Sequence, residues 1–266
     1  MPRVYTYGPF QSRRLGLSLG INVLPNYKLC TFNCIYCEIG ITNAEFLVSP
    51  SYRIKLPPSS QFRKELKSIL MQVPHLNSLT FGYNGEPTLN ENLLDFLQIA
   101  SDVREEISWI GEKPKLTLFT NSTTLHFDDV RERVKKFEVV LAKLDVTTDE
   151  DLTRINRSSG TSPDMAMIID SLAKLKHDMP ENNVLVIQSL LFSSYKKDFA
   201  PNDTASNIEN LARAIKRIRP NKVQIYSIAR IPAEYFVYAI DEERKKEITK
   251  IIEEIVQDTS IEIKYY

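Results

Sequence analysis

Short apolar runs alternate along this chain with longer segments in which apolar residues recur every three or four positions. The short runs have strand length and contain many β-branched and aromatic residues. They cover residues 19–24, 78–81, 115–120, 139–145, 184–192 and 222–228. A strand followed each time by a helix predicts an α/β fold, in which helices cover a parallel sheet.

The helical segments show the apolar stripes that a helix needs to cover a sheet. Three stripes are clear, namely Ile168, Ile169, Leu172 and Leu175, then Ile208, Leu211, Ala212 and Ile215, and then Ile248, Ile251, Ile252 and Ile255. Ser59, after two prolines, is expected to start the first helix, and Asn90 is expected to cap the second.

Six strand–helix repeats are visible, and residues 261–266 are expected to add a last strand. Eight repeats would close a full barrel. Six therefore predict a partial (βα)6 TIM-like barrel of parallel strands with a wide lateral mouth. No linker, low-complexity segment or internal repeat divides the chain, so we expect a single domain over residues 1–266.

The composition limits the possible partners of the protein but does not indicate a reaction. The 266 residues are 42% hydrophobic and 26% charged, which is enough for a substantial core. The formal net charge is zero, so no global field attracts nucleic acid or anionic lipid. No apolar run approaches the length of a membrane span, and we see no leader at the N-terminus. We expect a cytoplasmic protein without a membrane partner.

All three cysteines lie in the octapeptide CTFNCIYC, as Cys30, Cys34 and Cys37. This octapeptide falls in a long loop after the first predicted strand, at the barrel end where such enzymes place their chemistry. A structural zinc site would need a fourth protein ligand. A four-iron cluster bound by only three thiolates keeps one iron open for a small molecule. Both kinds of centre remain possible on the residues alone.

A second polar segment, Gly85-Glu86-Pro87, follows the second predicted strand. Glycine permits close approach of the backbone to a ligand, and a glutamate at a strand end can accept a hydrogen bond from an ammonium group. A Gly-Glu-Pro turn is by itself equally typical of an ordinary loop. Its position after the cysteine run gives it weight.

The two motifs in this order resemble those of the radical S-adenosylmethionine (radical SAM) superfamily, in which an aromatic residue such as Tyr36 precedes the last cysteine. Further segments, from Tyr7-Gly8-Pro9 to the stretch 230–234, resemble a family of small archaeal and bacterial iron–sulfur oxidoreductases. That family is related to the wybutosine-synthesis radical SAM proteins and has no settled substrate. This chain lacks the extra cysteines of the tRNA-modifying wybutosine enzymes, so the resemblance does not extend to their reaction.

The resemblance implies that Cys30, Cys34 and Cys37 bind a [4Fe-4S] cluster and that S-adenosylmethionine (SAM) chelates its fourth iron. It also implies a ferredoxin- or flavodoxin-type electron donor. Reductive cleavage of SAM would yield methionine and a 5′-deoxyadenosyl radical, which abstracts hydrogen from a nucleotide, an RNA or a small metabolite. In this superfamily the glycine–glutamate motif holds the amino group of the methionine moiety.

Polar residues also interrupt the ends of the later strands, where buried polar groups need partners. Hydrogen bonding inside the barrel would satisfy them, but as a set they resemble the superfamily's contacts to the ribose and carboxylate of SAM. The predicted cofactor-binding residues are Tyr36, Gly85, Glu86, Pro87, Asn121, Lys143, Asp145 and Gln188.

Four arginines are placed to reach a phosphate or carboxylate of a substrate, two before the first predicted strand and two in loops after strands. No cysteine is left over, so a protein-derived hydrogen donor would have to be a tyrosine such as Tyr226 or Tyr36. The predicted substrate-binding residues are Arg13, Arg14, Arg157, Tyr226 and Arg230.

Three functions remain open at this stage. The favoured one is a radical SAM oxidoreductase or transferase. An activase that makes a glycyl radical on a partner protein fits the size of the chain, but we find no N-terminal Asp-Gly-Pro-Gly-type segment. The third is a non-enzymatic zinc- or iron–sulfur-binding module.

Overall fold

The structure is a computed structural model that describes residues 3–266. Its strands are β1 (Thr6–Ser12), β2 (Gly16–Ile21), β3 (Ser78–Phe81), β4 (Lys115–Thr120), β5 (Val139–Lys143), β6 (Val184–Leu190), β7 (Phe192–Ser194), β8 (Lys222–Tyr226), β9 (Val237–Ala239) and β10 (Glu262–Tyr265). Its helices are α1 (Ser60–Leu70), α2 (Leu93–Glu105), α3 (Asp128–Val134), α4 (Asp149–Asp151), α5 (Met165–Asp178), α6 (Ala205–Ile218) and α7 (Glu242–Val256). The short helix α4 continues as a π-helical turn, Leu152–Asn156.

Eight strands form one sheet in the order β1-β2-β3-β4-β5-β6-β8-β10. Strands β1 and β2 are antiparallel, and every other pair of neighbours is parallel. Each of β2, β3, β4, β5, β6 and β8 is followed by at least one helix before the next strand of the parallel sheet, which confirms the predicted α/β fold and its six strand–helix units. Strands β7 and β9 form a separate antiparallel pair.

Strand β1 and the β7–β9 pair were not expected from the sequence. Strand β1 contains Pro9, its register shifts between Tyr7 and Phe10, and it pairs on one side only. Proline has no N–H for a sheet ladder and is tolerated at an edge, so a strand of this kind has little sequence signature.

The expected start of the first helix is confirmed, because the Ser59 side chain accepts a hydrogen bond from the Gln61 N–H. The expected cap of the second helix is wrong, since α2 begins after Asn92 rather than Asn90. The Asn90 side chain is buried and donates instead to the carbonyls of Val23 (2.7 Å) and Leu56 (2.9 Å). It joins two loops.

The apolar core lies between the helices and one face of the sheet, which we call the outer face. Alternate residues of a strand point to opposite faces. The outer face carries Leu79, Phe81, Leu116, Leu118, Val140, Ala142, Leu185, Ile187, Val223 and Ile225, all in one buried cluster with the helical stripes. The helices are thus held by burial of apolar area. No helix of residues 3–266 is long and apolar enough to cross a bilayer.

The opposite, inner face is mostly polar. Its buried polar residues are Ser18, Ser78, Thr80, Thr117, Gln188 and Gln224. They satisfy one another, because Ser78 Oγ lies 2.8 Å from Thr117 Oγ1 and Gln188 Nε2 donates to Gln224 Oε1 at 2.7 Å. Gly20 gives room on this face to the Tyr7 ring, which lies 2.0 Å from where a Cβ would stand.

Candidate active site

The cysteine loop, residues 22–59 between β2 and α1, docks on the segment that follows β3. Leu29 forms a parallel bridge with Gly85, and the Glu86 N–H donates to the Leu29 carbonyl at 3.0 Å. Gly85 has a φ of 126°, and a Cβ there would stand 1.8 Å from the Leu29 oxygen. Only glycine permits this approach, so the two sequence motifs are joined through their backbones.

Two further elements hold the loop around the cysteines. The N–H groups of Asn33 and Ile35 donate to the carbonyls of Asn156 (3.0 Å) and Ile155 (3.1 Å) in the π-helical turn. The buried hydroxyl of Thr31 lies 2.7 Å from that of Thr123, just beyond β4. Turns of the π type occur often at functional sites because they alter the direction of a backbone locally.

Each of the three cysteine sulfurs has one N–H donor from another residue. Asn121 Nδ2 lies 3.5 Å from Cys30 Sγ, and Asn156 Nδ2 lies 3.4 Å from Cys34 Sγ. Lys28 Nζ lies 3.2 Å from Cys37 Sγ and also donates to the Gly40 carbonyl at 2.5 Å. Donors of this kind stabilise thiolates, so the surroundings suit sulfurs that bind iron.

The thiols themselves are held in a low-dielectric environment. Burial, with a smaller effect of Cys34, raises the pKa of the Cys30 thiol to about 12. Burial and the nearby Cys37 raise the pKa of the Cys34 thiol to about 11. Binding of iron must therefore displace protons. In residues 3–266 no three His, Cys, Asp or Glu side chains converge on one metal-ion position. A cluster binds each thiolate through a different iron and does not require such convergence.

Glu86 is buried, with 1% of its surface exposed, at the point where the loop meets β4. Its Oε1 accepts from the Thr88 N–H (3.2 Å), the Thr88 hydroxyl (2.6 Å) and the Thr120 hydroxyl (2.9 Å), and its Oε2 accepts from the Asn121 N–H at 2.6 Å. Burial nevertheless raises the pKa of this carboxyl group above its ordinary value. Oε2, with one donor, keeps a free acceptor position that a cation can occupy. Pro87 is buried and starts the short turn that positions Thr88.

Asn121 links the motifs at the end of β4. Its backbone N–H bonds Glu86, while its side chain donates to Thr31 Oγ1 at 2.8 Å and contacts Cys30 Sγ. Its Oδ1 accepts from the Thr123 hydroxyl at 2.7 Å. The structure therefore brings Asn121, Glu86 and the first cysteine together, while their predicted contacts with SAM stay predictions.

A second polar network runs from the end of β5 toward the cysteines. Lys143 Nζ lies 2.8 Å from Asp145 Oδ1 and 2.8 Å from the Tyr226 hydroxyl. The Tyr36 hydroxyl donates to Asp145 Oδ2 and accepts from Asn156 Nδ2 at 2.9 Å. Burial alone would lower the pKa of Lys143, but Asp145 and Tyr226 outweigh it and leave that pKa above its ordinary value. Lys143 is therefore a cation.

Together, Asn121, Lys143, Asp145 and Asn156 line a cleft beside the cysteine loop. Gln188 lies apart from it, since it is 1% exposed on the inner face and is bonded to Gln224. Its predicted contact with SAM stays a prediction.

The five predicted substrate residues fall into three groups. Arg14 and Tyr226 are in contact, with the guanidinium carbon 3.9 Å from the ring centroid. Arg157 pairs with Glu234 at 2.5 Å, and Arg230 pairs with Glu38 at 3.2 Å, close to the cysteines in sequence. Arg13 is exposed. Arg13 and Arg14 lie in the turn between β1 and β2, since a further strand precedes the one predicted.

Three residues of the site were missed from the sequence, namely Lys28, Thr31 and Asn156. Thr31 lies inside the octapeptide itself. Asn156 belongs to the stretch 154–157, which contributed to the resemblance without any assigned role. The contact of Lys28 with Cys37 depends on the fold of the loop, and no sequence spacing indicates it.

Known proteins resemble this chain in sequence and in fold. No family model matches the chain. A UPF0026 protein of Methanocaldococcus jannaschii is 28% identical over 264 residues, which cover 97% of this chain and 74% of that protein. SuiB of Streptococcus suis bound to S-adenosylmethionine superposes with a TM-score of 0.58 at 13% identity, over 90% of this chain and 48% of that one. TYW1 with a lysine-pyruvate adduct bound gives a TM-score of 0.57 at 16% identity, over 89% of this chain and 73% of that one.

This chain shares the fold of SuiB and TYW1. The fold that the sequence resemblance implies is thereby confirmed, and so is the likeness to TYW1. The chain spans about half of SuiB and nearly three quarters of the archaeal relative. Identities this low carry over the fold and leave substrate and reaction to be derived from this chain's own residues.

Proposed function

We propose that this protein is a radical SAM enzyme that binds a [4Fe-4S] cluster and SAM, and that abstracts hydrogen from an anionic or polar substrate such as a nucleotide, an RNA or a small metabolite. The single observation that carries the proposal is the junction of the two motifs. Cys30, Glu86 and Asn121 meet in one hydrogen-bonded unit, although they come from three separate parts of the chain.

Cys30, Cys34 and Cys37 would hold the cluster, and the N–H donors of Asn121, Asn156 and Lys28 would stabilise their thiolates. A cluster held there would supply the electron for reductive cleavage of SAM. The protein's own contribution is position and electrostatics.

Glu86 would accept from the ammonium of the methionine moiety through its free position on Oε2. A buried carboxylate whose pKa is raised by desolvation gains stability when a cation arrives. Gly85 and Pro87 would fix the backbone that presents it. Asp145, in the adjoining cleft, would bind the ribose of SAM, with Lys143 and Tyr36 holding its carboxylate in place.

Several parts of the proposal concern partners. A ferredoxin- or flavodoxin-type protein would deliver the electron. Arg157 and Arg230, now in ion pairs on the loops beside the cysteines, would reach a substrate only after those pairs open.

We further propose that residues 1–266 act as one cytoplasmic radical SAM domain.

The test is reductive cleavage of SAM, which many radical-generating sites perform slowly without substrate once the reacting atoms are positioned. Protein reconstituted anaerobically with iron and sulfide, then given dithionite and SAM, should release 5′-deoxyadenosine and methionine. Variants with Cys30, Cys34 or Cys37 replaced by Ala, treated identically, should release neither.

Two outcomes would contradict the proposal. Equal release from the native protein and the cysteine variants would show chemistry of free iron–sulfide rather than of this site. A verified four-iron cluster without any release would favour a non-enzymatic binding module, and tetrahedral zinc bound by the native protein would exclude the cluster itself.

A further inference from the structure

Within residues 3–266, the Arg14 side chain is half-buried and its Nη1 atom is buried without a hydrogen-bond partner. None of the ion pairs in this part of the chain includes it. Arg104 and Arg131 each also have a buried Nε without a hydrogen-bond partner, but their guanidinium groups pair with Glu138 and Asp128. Among the residues described, Arg14 has no such anion. Because a buried polar group without a partner is costly, its guanidinium is left to bind an anion that the fold does not supply.

The position of Arg14 is fixed by an aromatic ring. Its guanidinium carbon lies 3.9 Å from the centroid of the Tyr226 ring, in cation–π contact. Strand β2, next to Arg14, is second in the sheet, and β8, which ends at Tyr226, is seventh. The contact therefore joins two parts of the sheet that are five strands apart in its order.

Lys143 lies on the same ring. Its Nζ is 4.8 Å from the Tyr226 centroid and 2.8 Å from the Tyr226 hydroxyl. Two cations thus share one ring, and Asp145 is the carboxylate that pairs with one of them, Lys143. Its oxygens already accept from Lys143, from the Tyr36 hydroxyl and from the Leu190 N–H. A net positive charge remains at this point of the inner face.

The same three side chains keep unused donors. The ammonium of Lys143 has three N–H groups and uses two, for Asp145 and Tyr226. The Tyr226 hydroxyl accepts from Lys143, and within residues 3–266 we find no acceptor for its own O–H. Three donors therefore surround the Tyr226 ring, namely Arg14 Nη1, the third N–H of Lys143 and the Tyr226 O–H. None of them has an acceptor within residues 3–266.

We propose that Arg14, Tyr226 and Lys143 form a binding site for a carboxylate or phosphate group of the substrate. The inference rests on the proposed function and narrows its substrate class to anionic molecules. The planar fork of a guanidinium matches two oxygens of either group. Stacking on Tyr226 holds that fork in one plane, so less freedom is lost when the anion binds.

The experiment is a thermal-unfolding titration of the full chain, reconstituted and kept anaerobic. Inorganic phosphate and acetate are added in separate series, with and without saturating SAM, at an ionic strength held constant with potassium chloride. A ligand that binds only the native state raises the melting temperature, and the rise grows with the logarithm of the ligand concentration once that exceeds the dissociation constant. We expect at least one of the two anions to do so, with SAM present or absent.

Variants assign the effect to the site. Arg14→Met should weaken the anion's affinity by about ten- to a hundredfold, as loss of a charge-assisted hydrogen bond implies. Tyr226→Phe retains the ring and loses the O–H, so it should weaken binding less and serves if Arg14→Met does not fold. Arg213→Met, which removes an exposed helical arginine paired with Glu209, is the control and should bind as the native chain does.

The outcomes are separable. A response to phosphate alone or to acetate alone names the substrate's anionic group. No response to either anion, or equal responses in Arg14→Met and the native chain, would overturn the proposal. Loss of the response with SAM present would assign the site to the carboxylate of SAM and would also overturn it. Iron and sulfide are measured in each sample, so a missing cluster contradicts the proposed function without affecting the anion titration.

Discussion

The two faces of the parallel strands are built from different kinds of residue, although adjacent positions of one strand contribute to both. In β4, Leu118 lies in the apolar cluster under the helices, while its neighbour Thr117 lies on the inner face and bonds Ser78. In β6, Ile187 and Gln188 divide in the same way. The outer face is satisfied by any apolar side chain of suitable volume, whereas each inner residue needs a specific partner.

The difference shows where stability and chemistry lie in this fold. Burial against the helices stabilises the sheet from outside. The inner face and the loops at its carboxyl end hold the cations, carboxylates and thiols, and their hydrogen bonds fix positions more than they add stability. Substitutions on the outer face should therefore mainly lower the free energy of unfolding, whereas substitutions at the inner face and its loops should mainly change ligand binding or the cluster.

The largest expected effect is on the outer face. Leu118→Ala removes a side chain that is 0% exposed, and the resulting cavity should lower the free energy of unfolding by about 2–5 kcal/mol. Urea unfolding of the unreconstituted protein measures this. The folded fraction should still accept a cluster. A loss below about 1 kcal/mol would show that the outer face is not the main source of stability.

Glu86→Gln tests the chemistry side of the comparison. The amide retains the size and one acceptor oxygen but loses the charge that would receive the ammonium of SAM. A charge-assisted hydrogen bond is worth about 1.5–3 kcal/mol, so SAM affinity should fall about ten- to a hundredfold. Equilibrium dialysis of the reconstituted protein measures it.

Glu86→Ala is a poorer probe, because it also leaves the donors of Thr88, Thr120 and Asn121 without an acceptor and should unfold more easily. Both variants should retain the cluster. Unchanged SAM affinity in folded Glu86→Gln would remove the assigned role of the glutamate.

Thr117→Val changes the neighbour of Leu118 on the inner face while keeping the side-chain volume almost constant. Its stability loss can therefore be compared with that of Leu118→Ala. The change removes one hydroxyl, while Ser78 Oγ keeps Thr80 Oγ1 at 3.0 Å as a partner. We expect a loss of about 1 kcal/mol, the usual net worth of one hydrogen bond, in the same urea assay. A loss as large as that of Leu118→Ala would erase the distinction between the faces.

The smallest expected effect is a shift of redox potential. Asn156→Ala removes the N–H donor of Cys34, and hydrogen bonds to sulfur stabilise the reduced, more negative cluster. One such bond is worth about 0.5–1.5 kcal/mol and 59 mV corresponds to about 1.4 kcal/mol for one electron, so the midpoint should fall by at most about 60 mV. An anaerobic titration followed by electron paramagnetic resonance measures it.

Asn183→Ala serves as its control, since the Asn183 side chain donates to the Lys135 carbonyl. A midpoint equal in Asn156→Ala and the control would show that this donor does not act on the cluster.

The outer face was predictable because its signal is periodic. The stripe of Ile208, Leu211 and Ile215 in α6 and the six apolar strands follow from burial alone, and all are confirmed. The α/β fold follows from their alternation. Strand β1 escaped prediction, because an edge strand with an internal proline has no such period.

The site was predictable only where residue type itself carries chemistry. Three cysteines in one octapeptide, or a glutamate after a glycine, stand out in any sequence. The roles of Asn156 and Lys28 come from loop geometry, and Arg14 acquires its meaning from Tyr226, which lies far away in sequence. Asn90 was assigned to a helix start because its type suits one, but a tertiary contact with Val23 took precedence.

The docking of the cysteine loop also sets an order of events during synthesis. The chain emerges from its N-terminus, so Cys34 is made well before Asn156, which stands 122 positions later. Until then the loop lacks the π-helical turn, and its thiols are open to oxidation and to stray metal ions. Under the proposed function, cofactor loading would therefore belong to the finished domain, and a nascent or truncated chain ending before Asn156 should be a poor acceptor of iron.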